Sequence, residues 1–408
     1  MKIFLSVFVF VSMVFIAGDV SAEGFDIKGN LGVEYKGYLD TPRSVRDHNL
    51  AAVGGLEASY EREGLSARVL IDALWDTSEE ERDHLRADEA FVRYDNDRLR
   101  AALGRMIIFW GALEAYNPVD IVNTQDITRD PLDVFKKGSC LAVLSTYFED
   151  SQLDLLVKLY EDDQEFPGEE SPYNIFPPGL RYDADLLPEE SRTRPGIFLK
   201  YSGSAGGARP LDYAFVLFNG YDKQRFLSVD GKGDLRQHAY IATKLMTFNT
   251  LVAGSTLLKF EAAYTDVRDN ALVSDYYQTG LGIEHTLEQV YRGYDLGLLV
   301  EHYLYELTDK DKVYDDLSLL QPYQNDLFLG FRLTFNDEAS SEIVCGGVLD
   351  LEYDDEASYY LQYKTRLFDT FVVDADIRKI HPTTDDINTV YKRLGDHTRV
   401  GLTVRYYF

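Results

Sequence analysis

The chain has 408 residues, and its 69 acidic and 41 basic residues give a formal net charge of −28 at pH 7. A chain this acidic lacks the clustered Lys and Arg that nucleic acid requires, so nucleic acid is excluded as a partner. Twenty-nine Tyr and 23 Phe against 2 Trp, 4 Met and 2 Cys make it rich in aromatics and poor in sulfur. That composition is typical of the aromatic belts of a membrane barrel, and equally of a large soluble β-protein.

Residues 1–22 have the pattern of a secretory signal peptide. Lys2 precedes an apolar run from Ile3 to Ala17, and the small residues Val20-Ser21-Ala22 end it. We predict cleavage after Ala22, which leaves residues 23–408 as a single domain without a lipid-bearing Cys at position 23. No later apolar run reaches the 18 residues that a spanning helix needs. Any membrane insertion must therefore use strands.

A period of two begins at Phe25 and continues to the end of the chain. Odd positions from Phe25 to Leu39 are apolar and even positions from Asp26 to Lys36 are mostly polar. The pattern returns in residues 50–60 and 65–75 and in about fifteen later segments. We predict an all-β fold, a transmembrane antiparallel β-barrel of about 18 strands, with 16 as the alternative count. The even number suits a barrel with both termini in the periplasm.

The connections between these segments alternate in length. Short ones are predicted near Arg62 and at residues 95–97, 150–151 and 336–337, and long ones at 40–49, 76–86, 110–139, 161–195, 221–236, 306–322 and 379–397. All 12 prolines fall in proposed connections, as a closed ladder of backbone hydrogen bonds requires. Period and proline placement do not by themselves distinguish a membrane barrel from a soluble sandwich.

The last segment favours the membrane. Its apolar row, which includes Val404 and Tyr406, ends on a C-terminal Phe408. Outer-membrane barrels are similar in ending on an amphipathic strand with a terminal Phe, which implies that Tyr406 and Phe408 form the signal for the barrel assembly machinery. With the signal peptide, this predicts the outer membrane of a Gram-negative cell as the location. Arg105 disagrees, because it lies on the apolar row of Leu103 and needs a strand end, a bulge or an inward turn.

One stretch carries a family resemblance. Gly104-Arg105-Met106-Ile107-Ile108-Phe109-Trp110-Gly111 is followed by Asn117-Pro118-Val119-Asp120. It resembles a segment of a little-characterised family of Gram-negative outer-membrane barrel proteins, in which a strand ending Gly-Arg-x-x-x-x-Trp-Gly precedes Asn-Pro-x-Asp. The resemblance covers residues of about 85 to 135. It implies a porin-like barrel for passage of a small or hydrophobic compound.

Residues 110–139 form a long connection with apolar anchors of its own. Such a loop is unfavourable in water, so we expect it to fold into the lumen as a constriction or plug. The segment predicted to do this comprises Arg105, Trp110, Gly111, Asn117, Pro118 and Asp120. The alternative is an ordered loop that caps the barrel or braces its neighbours.

The inward rows carry charges of both signs. The predicted lumen charges are Arg68, Asp72, Arg93, Asp154, Lys158, Lys259, Glu261, Arg332, Asp374, Asp376 and Arg378. They suit a selectivity ladder along a water-filled path, and equally salt-bridged packing that fills the interior. The acidic loops favour cations as the permeant ions, and they offer divalent-cation bridges to lipopolysaccharide.

Three functions remain open at this stage. The first is a channel or transporter for a small solute. The second is a non-conducting barrel, either a receptor or an export or assembly component with a periplasmic or inner-membrane partner. The third, a barrel hydrolase, lacks support because no H-E-x-x-H or G-x-S-x-G motif is present. We predict no enzyme activity, no cofactor, no metal site and no disulfide between Cys140 and Cys345.

Overall fold

A closed barrel is the main feature of the computed structural model, which describes residues 24–39, 41, 46–131, 135–177, 179–268, 272–309, 321, 323–353, 355–384 and 389–408. Within these residues, eighteen strands form one antiparallel sheet whose first and last members pair, and three more form a small separate sheet. The predicted all-β barrel of about 18 strands is confirmed. The proposed signal peptide, residues 1–22, lies outside the described residues.

The barrel strands follow one another in chain order around the wall. They are β1 (Phe25–Leu39), β2 (His48–Arg62), β3 (Leu65–Asp76), β4 (His84–Asp95), β5 (Leu99–Met106), β6 (Ser139–Tyr147), β7 (Ser151–Lys158), β9 (Gly196–Ala205), β10 (Leu211–Tyr221), β13 (Ile241–Ala253), β14 (Thr256–Val267), β15 (Tyr276–Tyr291), β16 (Tyr294–Leu307), β17 (Asn325–Thr334), β18 (Glu342–Asp350), β19 (Ala357–Leu367), β20 (Phe371–His381) and β21 (His397–Tyr407). The small sheet holds β8 (Tyr182–Pro188), β11 (Phe226–Val229) and β12 (Leu235–Ala239). A 3-10 turn (Glu80–Arg82) and a short helix (Val390–Leu394) complete the described elements. No helix in the described part of the chain is long and apolar enough to cross a membrane.

The two faces of the wall have the character that the period of two predicts. In β1, Val33 and Tyr35 are exposed on the outside, whereas Glu34 and Lys36 between them are buried inside. Apolar side chains therefore point to lipid and charged ones to the interior, the inverse of a soluble sandwich. Arg105 is the penultimate residue of β5, at the end that leads into the long connection to β6, and its guanidinium donates to the Gly138 carbonyl. A lipid-facing Arg at mid-depth would cost about 2–4 kcal/mol, and the strand end avoids that cost.

Short and long connections lie at opposite ends of the barrel. The turn between β2 and β3 has two residues, Glu63 and Gly64, both with positive φ, the geometry of a type I′ hairpin. The long connections include one feature that the sequence analysis missed, the small sheet in which residues 182–188 pair with 235–239. Pro188 ends β8 of that sheet, and so it is not in a plain connection as predicted. Cys140 and Cys345 are both free, as predicted.

The C-terminal residue seals the seam between β21 and β1. Phe408 exchanges two backbone hydrogen bonds with Gly29, at 2.9 and 3.0 Å. A Cβ on Gly29 would lie 2.3 Å from the Phe408 ring, so the ring occupies the space that the glycine leaves open. The ring centroid of Tyr406 lies 6.1 Å from that of Phe408 and 5.2 Å from that of Phe371. The residues of the proposed assembly signal are therefore also packing residues of the seam.

We predict that Phe408→Ala lowers the fraction of chain that folds into the barrel, because the seam loses its covering ring. Folded barrel is measured by heat-modifiable mobility on a gel. Phe368→Ala is the matched control, since Phe368 is 88% exposed in a hairpin turn. Equal folded fractions for the two variants would contradict the role of Phe408.

Candidate functional site: a loop anchored inside the barrel

The connection between β5 and β6 turns into the barrel, and we call its described residues, 107–131 and 135–138, the inner loop. Asn123 ties its two ends together. Its side chain accepts from the amide of Ile108 at 2.7 Å and donates to the carbonyls of Met106 and Lys137 at 2.9 and 3.1 Å. Because one buried amide group fixes both ends, the loop enters the lumen as a folded unit.

Trp110 anchors the loop to an apolar patch on the inner wall. The indole is 5% exposed and lies edge-on to Phe198, with ring centroids 5.6 Å apart, and parallel to Phe248 at 6.4 Å. The patch continues through other inward side chains, namely Leu156, Val216, Phe218 and Met246. This part of the lumen is therefore dry and filled by the loop.

The remaining residues of the Gly-Arg and Asn-Pro motifs shape the loop. Gly111 has φ +104, and a Cβ there would lie 2.2 Å from Asn117 Oδ1. The Asn117 side chain accepts from the amide of Leu113 and donates to its carbonyl, which closes a tight turn before Pro118. Asp120 then binds Lys136 at 2.5 Å across the loop. These motif residues thus hold the backbone of the loop rather than line an open path.

Residues 111–117, which we call the latch, attach to three neighbouring strands. The amides of Ala112 and Leu113 donate to Glu261 Oε1 of β14 at 2.7 and 3.3 Å. The amides of Glu114 and Ala115 donate to the Glu301 carboxylate of β16 at 2.9 to 3.2 Å. The next amide, of Tyr116, donates to the Tyr303 hydroxyl at 3.2 Å. Five successive backbone amides, with no partner in a helix or sheet, are thereby satisfied by the wall.

Two glycines of β15 make room for the latch between those carboxylates. Gly280 pairs with Glu261 and Gly282 pairs with Glu301 in the strand register. A Cβ on Gly280 or Gly282 would lie 2.3 or 2.7 Å from a methyl group of Leu113. Leu113 therefore sits in a seat that only glycine leaves open.

The second half of the inner loop attaches to the other side of the barrel. Asp126 binds Arg86 of β4 at 2.6 Å, and Asp130 binds Arg399 of β21 at 2.7 Å. Lys36 of β1 donates to the Arg129 carbonyl at 2.7 Å. The loop thus crosses the lumen from β14–β16 to β21–β4 and is anchored at both ends of its span.

Two lysines contact Asp120, of which Lys136 is buried and Lys223 is half-buried. Burial lowers the pKa of Lys136, and the nearby Asp120 carboxylate partly offsets that effect. Burial also lowers the pKa of Lys223 to about 8, and Lys223 donates to the Asp120 carbonyl at 2.9 Å. The contact from residue 223 therefore weakens as the pH rises through about 8.

The predicted lumen charges point inward, and each of them contacts a charged, polar or aromatic partner. Asp72 binds Arg129, Asp154 binds Lys200, Lys158 binds Glu161, Lys259 binds Glu284, Glu261 binds the latch, and Arg332 binds Glu114. Arg68 pairs with Glu57 and Glu89, and Asp376 binds Arg399. Arg93 donates to Ser66, Asp374 accepts from Gln362, and Arg378 lies over the Tyr360 ring. These groups pack the interior, and several of them also border its cavities.

Cavities border the described residues of the inner loop on several sides. One of about 620 Å³ lies between the latch and β17–β20. One of about 290 Å³ follows the wall of β19–β21 and β1, and one of about 530 Å³ lies at the turn end near β6–β10. The last two occupy opposite walls. The interior is therefore divided by the loop and not evenly filled.

The sequence analysis placed Glu261 and Glu301 on inward rows but did not foresee that they receive the loop. Gly280, Gly282 and Asn123 were not singled out, and the apolar inner patch was not foreseen. The signals were the run Gly280-Leu281-Gly282 within a strand and the double-faced apolar strand β10, since Ala214, Val216 and Phe218 fall on its inward row. A strand that is apolar on both faces must be covered on both.

A closed 18-strand barrel with a lipid-facing apolar exterior and a loop folded into the lumen defines a porin-like outer-membrane β-barrel. No family model and no curated protein matches the chain. Among solved structures it is similar to OccAB4 of Acinetobacter baumannii, with 10% identity over 95% of this chain and 99% of that chain and a TM-score of 0.57. It is also similar to OccK11 (OpdR) and OccD3 (OpdP) of Pseudomonas aeruginosa. Identities are 11% and 8%, coverage is 95% and 96% of this chain and 96% and 93% of those chains, and TM-scores are 0.55 and 0.53. At these identities the likeness is one of fold.

We predict that Gly280→Val displaces Leu113 from its seat and loosens the latch, since the side chain needs the space that Leu113 fills. Quenching of Trp110 fluorescence by iodide in a Trp75→Phe background measures the loosening. Gly297→Val is the matched control on β16, where the nearest atom to a new Cβ lies 3.8 Å away. If Gly280→Val leaves Trp110 as protected as the control does, the seat does not hold the loop.

Proposed function

We propose that this protein is an outer-membrane channel for a small solute, with the inner loop as its constriction. The observation that carries the proposal is the anchoring of the loop across the lumen between β14–β16 and β21–β4. Eighteen strands enclose more space than wall side chains fill, so a loop that narrows the lumen sets what passes. Cavities on both sides of the loop give a solute room to approach it.

Charge on opposite walls supports a role in selectivity. Six cationic side chains and three carboxylates line the cavity along β19–β21 and β1. Three carboxylates and one lysine line the cavity near β6–β10. Opposite charges facing each other across a narrow lumen produce a transverse field, which orients a polar solute. We propose that anions favour the basic wall, whereas the acidic outer loops alone favoured cations.

Contacts outside the lumen complete the proposal. The exposed apolar rows suit outer-membrane lipid, and acidic loops suit divalent-cation bridges to lipopolysaccharide. Tyr406 and Phe408 suit recognition by the barrel assembly machinery. A periplasmic or inner-membrane transport partner belongs to the alternative, a non-conducting receptor or export component.

We expect purified protein to give discrete conductance steps in planar bilayers, and we expect deletion of residues 112–116 to raise the step size several-fold, because the latch narrows the lumen. Deletion of Gly231-Lys232-Gly233 is the matched control. These residues form an exposed tip, and no atom lies within 4 Å of a Cβ built on either glycine. Folded protein that carries no current with or without the latch would contradict the channel and favour the non-conducting barrel.

Charge reversal on the basic wall tests the selectivity. Lys364→Glu with Arg405→Glu is expected to shift the reversal potential in a salt gradient toward cations. Asp212→Lys on the opposite wall is expected to shift it toward anions. Equal reversal potentials in wild type and both variants would mean that neither cavity lies on the permeation path.

A further inference from the structure

We propose that Glu261 and Glu301 form an acid-sensitive catch, so that protonating them releases the latch and widens the lumen. The inference rests on the proposed channel for its effect on current. The release itself is a change in the loop, independent of any current.

The latch depends on carboxylate charge because its amides have few other partners. Hydrogen bonds to a charged carboxylate are roughly twice as strong as those to a neutral acceptor. Four successive amides, from residue 112 to 115, rely on the two carboxylates. Loss of both charges therefore weakens the whole attachment of this segment at once.

Of the two carboxylates, Glu261 has fewer groups that stabilise its negative charge. Its side chain is fully buried. Within the described residues, no Lys or Arg nitrogen lies within 4.0 Å of it, and its charge is supported by the backbone amides of Ala112, Leu113 and Val119. All three of these donors belong to the inner loop. The charged group that faces it from the loop is Asp120, which is paired with Lys136.

Glu301 has a cation nearby that is already engaged. Lys259 of β14 lies 3.9 Å from Glu301 but 2.8 Å from Glu284 of β15. The Tyr303 hydroxyl donates to Glu301 from the same strand, and from the loop side the charged neighbour is Glu114, which binds Arg332 of β17 at 2.8 Å. The charge on Glu301 is thus held by the Tyr303 hydroxyl and by the amides of the latch.

The other half of the loop is held differently. Asp126 and Asp130 each bind an arginine, Arg86 and Arg399. Arg keeps its charge at every physiological pH, so these pairs resist mild acid. Acid therefore frees residues 111–117 and leaves residues 126–130 anchored, which gives a hinged opening instead of an unfolded loop.

Trp110 reports the release because it adjoins the latch and packs against Phe198 and Phe248. In Trp75→Phe protein in lipid vesicles, the iodide quenching constant is expected to rise about twofold between roughly pH 7 and pH 4, because an ordinary Glu carboxyl has a pKa of about 4.3. Step conductance in bilayers is expected to rise over the same interval. Both pH values lie below the pKa of Lys223, about 8, so that lysine stays charged.

The double variant Glu261→Gln with Glu301→Gln mimics the protonated catch. It is expected to be quenched at neutral pH as the parent is in acid, with no further pH response. Asp374→Asn is the matched control, an inward carboxylate that accepts from Gln362 and does not touch the latch, and it should respond to pH like the parent. If the double variant fails to fold, Gly280→Val serves instead and should be equally insensitive to pH.

The outcomes separate the two proposals. A quenching constant that is flat with pH in the parent, or a pH response that persists in the double variant, overturns the catch even where current is present. A quenching response without current at any pH supports the catch and overturns the channel.

Discussion

Backbone polar groups inside a membrane barrel must be satisfied without bulk water, and this requirement organises the molecule. The wall meets it by closing, with Phe408 and Gly29 completing the last pair of hydrogen bonds at the seam. The latch has no sheet to join in the lumen, and the amides of residues 112–116 meet the requirement through side chains. Asn123, Glu261 and Glu301 therefore act as structural acceptors, and their positions determine where the loop lies.

Much of the barrel follows from the sequence because its signal is local. A period of two needs only neighbouring residues, so the eighteen wall strands and the inward direction of Glu261, Arg332 and Asp376 were predictable. Trp110, Gly111 and Asn117 also stood out, because they belong to the motif that carries the family resemblance. The apolar side chains within residues 110–139 predicted that this connection folds into the lumen.

The receiving side of the site was not predictable in the same way. Glu301 and Gly282 lie about 190 and 170 residues from the latch residues they meet, and nothing local marks the pairing. The need for a residue without a side chain at position 282 becomes clear only when β15 is known to lie between β14 and β16. The small sheet of β8, β11 and β12 was missed for a similar reason, since it is built from two separate connections and one of its pairings is parallel.

The bond between Asp130 and Arg399 joins a loop that follows the fifth strand to the strand that closes the wall. A loop held by both early and late strands cannot be threaded into a finished cylinder without breaking contacts on each side. Insertion of the loop and closure of the wall are thus one event in biogenesis. The final strand to arrive is the one that locks the interior, so a chain truncated before residue 399 would lose the lumen architecture along with the seam.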